Sequence, residues 1–178
     1  MIVRPATAAD AAAMAAIYAH HVAHGVGTFE EVAPTADEMA ERLAAVRARG
    51  LPWIVAEIDG QVRAFAYAAP FRLRSAYRYM AEDSVYVAPG WERRGLGRML
   101  LGAVLKACEA LGLRQIVAVI GDSGNAGSIG VHAALGFEHT GVMPGVGFKQ
   151  GRWLDVVLMQ KTLGGGSGTA PTGEGWEA

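Results

Sequence analysis

The sequence predicts an α/β domain of the α+β kind, with a central mixed, mostly antiparallel sheet flanked by helices. Three observations predict it. Helical and strand-like periodicities alternate along the chain. Asp59-Gly60 sits between two strand-like runs, the signature of a two-residue hairpin. The apolar run Gln115 to Ile120 follows a long amphipathic helix pattern, as expected of a strand covered on both faces.

The elements follow in order. Ile2 to Arg4 reads as a short strand. Thr7-Ala8-Ala9-Asp10 has the form of a capping box and opens a helix to about His21. Thr35-Ala36-Asp37-Glu38 repeats the device, and Met39, Leu43 and Val46 follow at helical spacing. Trp53 to Ile58 and Gln61 to Ala69 flank the hairpin turn. Ser84 to Val87 is a further strand. Gly95 to Leu111 is a long helix with Leu96, Leu100, Ala103, Val104 and Ala107 on one face and Gly112 past its end. Asn125 to Leu135 is a helix stopped by Gly136. Phe137 to Val142 and Leu154 to Lys161 read as the last strands.

Composition sets limits on function. The chain has 178 residues, a formal net charge of −1 and one cysteine. Its length suits one domain with a tail. Near-zero charge argues against a broadly basic nucleic-acid binder. A single cysteine excludes an internal disulfide framework. No apolar run approaches the roughly 18 residues of a membrane helix, and no secretory signal opens the chain, so a cytoplasmic protein is expected. Residues 1–163 form the expected domain. Residues 164–178 hold six glycines among small polar residues and read as a flexible tail, with Trp176 a stray aromatic.

The most informative stretch runs from Ser84 to Arg98. A strand ends, a turn follows, and Gly95 and Gly97 open a long helix. Glycine permits close backbone approach, and a helix start offers free N–H groups. Arg93, Arg94 and Arg98 add positive charge where a helix dipole disfavours it, a conflict that a bound anion resolves. The stretch is not a P-loop, and Leu100 stands where a dinucleotide fingerprint wants its third glycine.

These residues resemble the GNAT superfamily of acetyl-CoA-dependent N-acetyltransferases, whose signature is Gln/Arg-x-x-Gly-x-Gly/Ala. The match is Arg93 to Arg98, with Glu92 at the Gln/Arg position. The second half of the signature is matched by Asn125-Ala126-Gly127-Ser128 and by Val131-His132 before Gly136-Phe137. Here His132 stands where the family has a tyrosine. The resemblance covers about residues 2 to 162 and implies a GNAT fold with a splayed strand pair at the acetyl-CoA site. A narrower similarity is to phosphinothricin and methionine sulfoximine/sulfone acetyltransferases. It is carried by Ile17-Tyr18-Ala19-His20, Thr28-Phe29-Glu30-Glu31, Ala81 to Val87, Val117 to Ile120 and Lys149 to Asp155.

The resemblance implies acetyl-CoA as co-substrate, no metal, a small amino-acid-like acceptor and a homodimer with substrate sites near the interface. It implies coenzyme contacts from Val85, Tyr86, Val87, Arg93, Arg94, Gly95, Leu96, Gly97, Arg98, Asn125 and Ser128. By it Glu82 is the general base and the Val87 N–H the donor to the thioester carbonyl. His132 is either an acid for the departing thiolate or a core histidine with satisfied hydrogen bonds. Arg72 and Arg74 alternate on what reads as an extended segment, so both are expected to point to one side and to suit a substrate carboxylate, and Phe29, Glu30 and Tyr77 are further candidates for lining the site. Lys149 and Trp153 either approach a partner subunit or pack a hairpin. His20, His21 and His24 lack companion ligands and read as a surface or interface cluster. Cys108, mid-helix, reads as packing. Acetyl transfer to another amine, or non-catalytic coenzyme A binding, are the alternative functions.

Overall fold

The computed structural model describes residues 1–176. Seven strands form one sheet: β1 (Ile2–Pro5), β2 (Trp53–Ile58), β3 (Gln61–Pro70), β4 (Met80–Val87), β5 (Gln115–Gly121), β6 (Glu138–Lys149) and β7 (Arg152–Thr162), in the order β1-β2-β3-β4-β5-β7-β6. Only β4 and β5 run parallel; every other pair is antiparallel. The four helices are α1 (Ala11–His24), α2 (Ala36–Ala48), α3 (Leu96–Ala110) and α4 (Ala126–Ala133).

Alternation along β4 sorts the helices onto two faces. Tyr86 meets Tyr18 of α1 edge-on, with ring centroids 4.8 Å apart. Its neighbours Val85 and Val87 back onto Gly97 at the start of α3. The α3 face buries Leu100, Leu101, Val104 and Cys108 completely. Glu82, Ser84 and Tyr86 therefore look toward α1 and α2, and Asp83, Val85 and Val87 toward α3 and α4.

Local chemistry explains the helix starts. Thr35 and Glu38 form a reciprocal cap: Glu38 N–H donates to Thr35 Oγ1 at 3.2 Å and Thr35 N–H to Glu38 Oε2 at 2.7 Å. Before α1, the Asp10 carboxylate accepts from Thr7 N–H at 2.8 Å and from both Arg4 amino groups at 2.8 Å. Arg4 also bonds Glu57 on β2, so a charged cluster ties β1, β2 and the α1 start together. The helix itself runs to His24, one turn beyond the expected end.

Two expectations are corrected. The last hairpin is longer than the apolar pattern suggests: β6 continues to Lys149 although Gly141, Pro144, Gly145 and Gly147 interrupt it. Its pairing with β7 absorbs the irregular stretch in two register shifts. The glycine-rich segment after residue 163 also does not hang free over its described length. Trp176 is buried, its Nε1 donates to the Met80 carbonyl at 2.8 Å, and its main-chain N–H donates to Arg78 at 3.0 Å. The Arg49 guanidinium lies over the same ring. Arg114 further anchors the segment through Gly166, Thr169 and Ala170. Composition underestimates such docking because one aromatic filling a slot outweighs many small polar neighbours. Residues 177–178 of the predicted tail lie outside the described residues.

Candidate active site

The site begins where two parallel strands part. β4 and β5 are paired from Met80–Gln115 to Asp83–Ala118 and no further. Beyond that rung β5 continues against β7, while β4 continues against β3. On the β3 side, Ala88 N–H bonds the Arg63 carbonyl at 2.8 Å, which fixes the phase of the antiparallel ladder. In that phase Tyr86 and Ser84 exchange main-chain bonds with β3. Val85 and Val87 turn their main-chain groups toward the gap left by β5. The Val87 carbonyl there accepts from His21 Nε2 at 2.8 Å. The main chain of Val85 and the Val87 N–H are thus offered to whatever fills the gap.

That gap is part of a cleft of about 580 Å³. One end has the features that suit an anion. Gly90, Arg93 and Gly95 have φ of +76°, +58° and +82°, so the turn enters left-handed backbone at three positions, the kind of turn whose N–H groups can form an anion-binding concavity. The first hydrogen bond of α3 runs from Met99 N–H to Gly95, leaving Leu96, Gly97 and Arg98 N–H without helical acceptors. Arg93 and Arg98 line this end; Arg94 does not, and its guanidinium stacks on Trp91 at 4.5 Å. Glu92 lines the cleft beside His21, whose electrostatics it influences. Burial lowers the His21 pKa, against the Val87 carbonyl, which favours the charged ring.

The opposite wall comes from α4. Asn125 caps the helix, its Oδ1 accepting from Ser128 N–H at 3.1 Å, and both residues line the cleft. His132 is buried, and neither ring nitrogen is free. Nδ1 lies 2.7 Å from the Ser128 carbonyl and Nε2 2.9 Å from Asp83 Oδ2. Sequence reasoning missed Asp83 as the partner: 49 residues separate the two, and no local spacing marks the pair.

Glu82 lies on the other face and is absent from the cleft lining. Burial raises its pKa, the Asp83 carboxylate adds to the rise, and Arg72 opposes it. Arg72 stacks on Phe71 at 4.4 Å, and Tyr77 meets the same ring edge-on at 5.6 Å. Arg72 and Tyr77 therefore form a ledge beside Glu82. Arg74 sits before a short helical turn, not on a strand, so the expected alternation of the two arginines does not hold.

Glu30 is engaged elsewhere than expected. Arg42 grips its carboxylate with two bonds of 2.8 and 3.0 Å, and Tyr18 donates a third at 2.9 Å. Sequence reasoning missed both partners, which pin the loop that carries Phe29. The Phe29 ring fills the space over Gly121 and Gly147, where added methyl groups would overlap it. Lys149 is buried and donates to the Thr28 carbonyl at 2.8 Å, holding the same loop. Trp153 is 68% exposed, so the two residues divide between the hairpin-packing and outward roles. The His20 and His24 rings meet edge-on at 4.6 Å. Among the described residues no group of histidine, cysteine and carboxylate side chains could hold a metal. Cys108 is buried, with its thiol pushed up to about 12 by that burial.

A parallel pair that parts beside a glycine-opened helix start, with α4 as the second wall, defines an acyltransferase fold of the GNAT type. The acetyltransferase (GNAT) family matches residues 15–137, and the chain belongs to that family. It is 52% identical over 162 residues to phosphinothricin N-acetyltransferase of Alcaligenes faecalis, covering 91% of this chain and 82% of that one. It is 39% identical over 163 residues to L-methionine sulfoximine/L-methionine sulfone acetyltransferase of Salmonella typhimurium, covering 92% and 95%. A solved phosphinothricin acetyltransferase from Sinorhizobium meliloti, in complex with AcCoA, superposes with a TM-score of 0.93 at 45% identity, covering 96% of this chain and 92% of that one.

Proposed function

We propose that this protein transfers the acetyl group of acetyl-CoA to the α-amino group of a small amino-acid-like substrate such as phosphinothricin, methionine sulfoximine or methionine sulfone. One observation carries the reading. The Val85 main chain and the Val87 N–H turn into a gap that leads to the glycine-opened start of α3, with Glu82 on the opposite face of the same strand. The relatives named above support the choice of acceptor.

The residues divide the work. The N–H groups of Leu96, Gly97 and Arg98, with the Arg93 and Arg98 side chains, suit a pyrophosphate. The Val85 main chain suits the amide-rich arm of coenzyme A, with Asn125 and Ser128 on the far wall. The Val87 N–H is the donor to the thioester carbonyl, where negative charge grows during attack. Glu82 takes the amine proton, directly or through a water. Its raised pKa makes it a better base near neutral pH than an exposed carboxylate. Arg72 is the partner for the substrate carboxylate, and Arg74, Tyr77, Phe29 and Glu30 border the same side. His132 supplies the proton for the leaving sulfur.

A homodimer is part of the reading. Phe148 and Trp153 meet edge-on at 5.3 Å on the last hairpin and are 57% and 68% exposed, beside exposed Val142, Met143 and Val146. An apolar patch of that kind suits a second copy of the chain. Acetyl-CoA as co-substrate suits a cytoplasmic setting. Sedimentation of Trp153→Asp tests the dimer: a monomer is expected, and an unchanged mass contradicts it.

The test of function is thiol release from acetyl-CoA with phosphinothricin, methionine sulfoximine and methionine sulfone in turn. Release well above the amine-free rate with at least one is expected. No release with any of them overturns the proposed acceptor class.

A further inference from the structure

A carboxylate and an imidazole meet at the fork of the sheet. Asp83 is the last β4 residue paired with β5, and His132 reaches it from α4. The Ser128 carbonyl can only accept, so the 2.7 Å contact puts a proton on His132 Nδ1. With Nδ1 protonated, the 2.9 Å contact between Nε2 and Asp83 Oδ2 requires a second proton between them. It is held as imidazolium against carboxylate or as imidazole against carboxylic acid. Without it, two lone pairs face each other between side chains that are only 3% and 1% exposed. Asp83 Oδ1 is buried with no hydrogen-bond partner, and apart from its own main-chain N–H only His132 acts on this carboxylate as a hydrogen-bond partner. Both residues line the cleft.

We propose that Asp83 and His132 hold one proton between them and deliver it to the sulfur of coenzyme A as the thioester breaks, Asp83 being the positioning residue that keeps the imidazole protonated. The delivery step rests on the acetyl transfer proposed above. The amine nitrogen bonds the acetyl carbon and its proton passes to Glu82. The carbon–sulfur bond breaks, its electron pair goes to sulfur, and sulfur takes the proton from the pair. Glu82 ends protonated on one face of the sheet and the pair ends one proton short on the other. Exchange with water restores both, and no further reactant is needed.

The neighbours of the pair leave it in control of its own proton. On β4 only Glu82 adds charge, from the opposite face. From α3 comes the Cys108 thiol, neutral because burial raises it. From β5 come the apolar Ala118, Val119 and Ile120, and the Phe137 ring meets His132 edge-on at 4.9 Å. Burial disfavours the His132 cation, but the bond and charge of Asp83 outweigh it and hold the imidazole above its ordinary pKa. Burial raises Asp83 as well. The pair therefore keeps its proton to a higher pH than an ordinary histidine does, and turnover falls as pH rises through the point where it is lost.

The experiment compares the full-length protein with Asp83→Asn by nitrogen-15 NMR of His132 and by pH profiles of turnover. In the wild type His132 is expected to titrate above the ordinary histidine value of about 6.5, and in the variant below it. The variant is expected to lose about 10²-fold in kcat and its alkaline limb, with the KM for acetyl-CoA and the melting temperature nearly unchanged. A wild-type His132 that titrates at or below the ordinary value overturns the proposal whether or not the variant folds. So does a variant with wild-type kcat and limb. A wild type that acetylates no amine removes the delivery step along with the proposed activity, while the His132 titration still reports the shared proton separately.

Discussion

Glu82 and Asp83 are neighbours in sequence yet face opposite sides of the sheet, Asp83 into the cleft beside His132 and Glu82 toward the Arg72 ledge. Strand alternation makes this unavoidable. Two adjacent carboxylates are thereby offered to opposite faces of the sheet, and in the proposed reaction one serves the thioester and the other the amine.

Glu82→Gln is expected to lower kcat/KM by about 10² to 10⁴ and to abolish the acid limb of the rate profile. Burial and Asp83 raise the Glu82 pKa, so the wild-type limb lies above the ordinary glutamate value, and activity is lost as pH falls through it. Arg72 opposes that rise, so Arg72→Gln is expected to move the limb further up. Steady-state rates from pH 5 to 9 check both.

Gly95 and Gly97 are expected to respond differently. Gly95 adopts φ +82° with open space around it, so a side chain there costs backbone strain and not a clash. Gly95→Val is expected to cost about 1–2 kcal/mol and raise the KM for acetyl-CoA. A methyl on Gly97 makes only ordinary contacts, 3.7 Å from Val85 and 3.8 Å from Val87. Gly97→Ala should therefore leave the melting temperature intact while crowding the cleft and raising the same KM. Paired melting curves and KM measurements separate the two effects.

Removing residues 164–178 is expected to destabilise the domain by about 3 kcal/mol, the scale of an emptied tryptophan site. Trp176→Ala should reproduce most of the loss, because the ring is buried and its Nε1 satisfies the Met80 carbonyl. Urea unfolding checks this, and equal midpoints for full-length and shortened chains contradict it.

The Arg4–Asp10–Glu57 cluster predicts an acid-sensitive component of stability. The Arg4 hydrogen bonds hold the Asp10 pKa at about 2, below its ordinary 3.8. A depressed carboxylate stabilises fully above the ordinary value and loses that contribution as pH falls toward 2. Asp10→Asn is expected to cost about 2 kcal/mol at neutral pH, with the gap to wild type closing between pH 4 and 2. Denaturant melts across that range check it.

What the sequence revealed was what is local. The anion-binding turn was legible because glycines and arginines crowd one helix start, and the helix caps because their partners lie three residues apart. The long-range contacts were not. Glu30 reads as a candidate for lining the site until α2 brings Arg42 against it, and nothing local marks Asp83 until α4 brings His132. The end of β6 was hidden because glycines break its alternation and β7 supplies the pairing. Trp176 was misjudged because composition carries no record of the slot that receives it.

The central claim is that coenzyme A and the acceptor meet through the fork between β4 and β5. A crystal structure with coenzyme A and methionine sulfoximine tests it most directly. The expected result places the pyrophosphate on the N–H groups of Leu96, Gly97 and Arg98, the sulfur beside Val87 and His132, and the amine within one water of Glu82. A pyrophosphate bound away from that helix start, or an amine on the α3 face of the sheet, would contradict it.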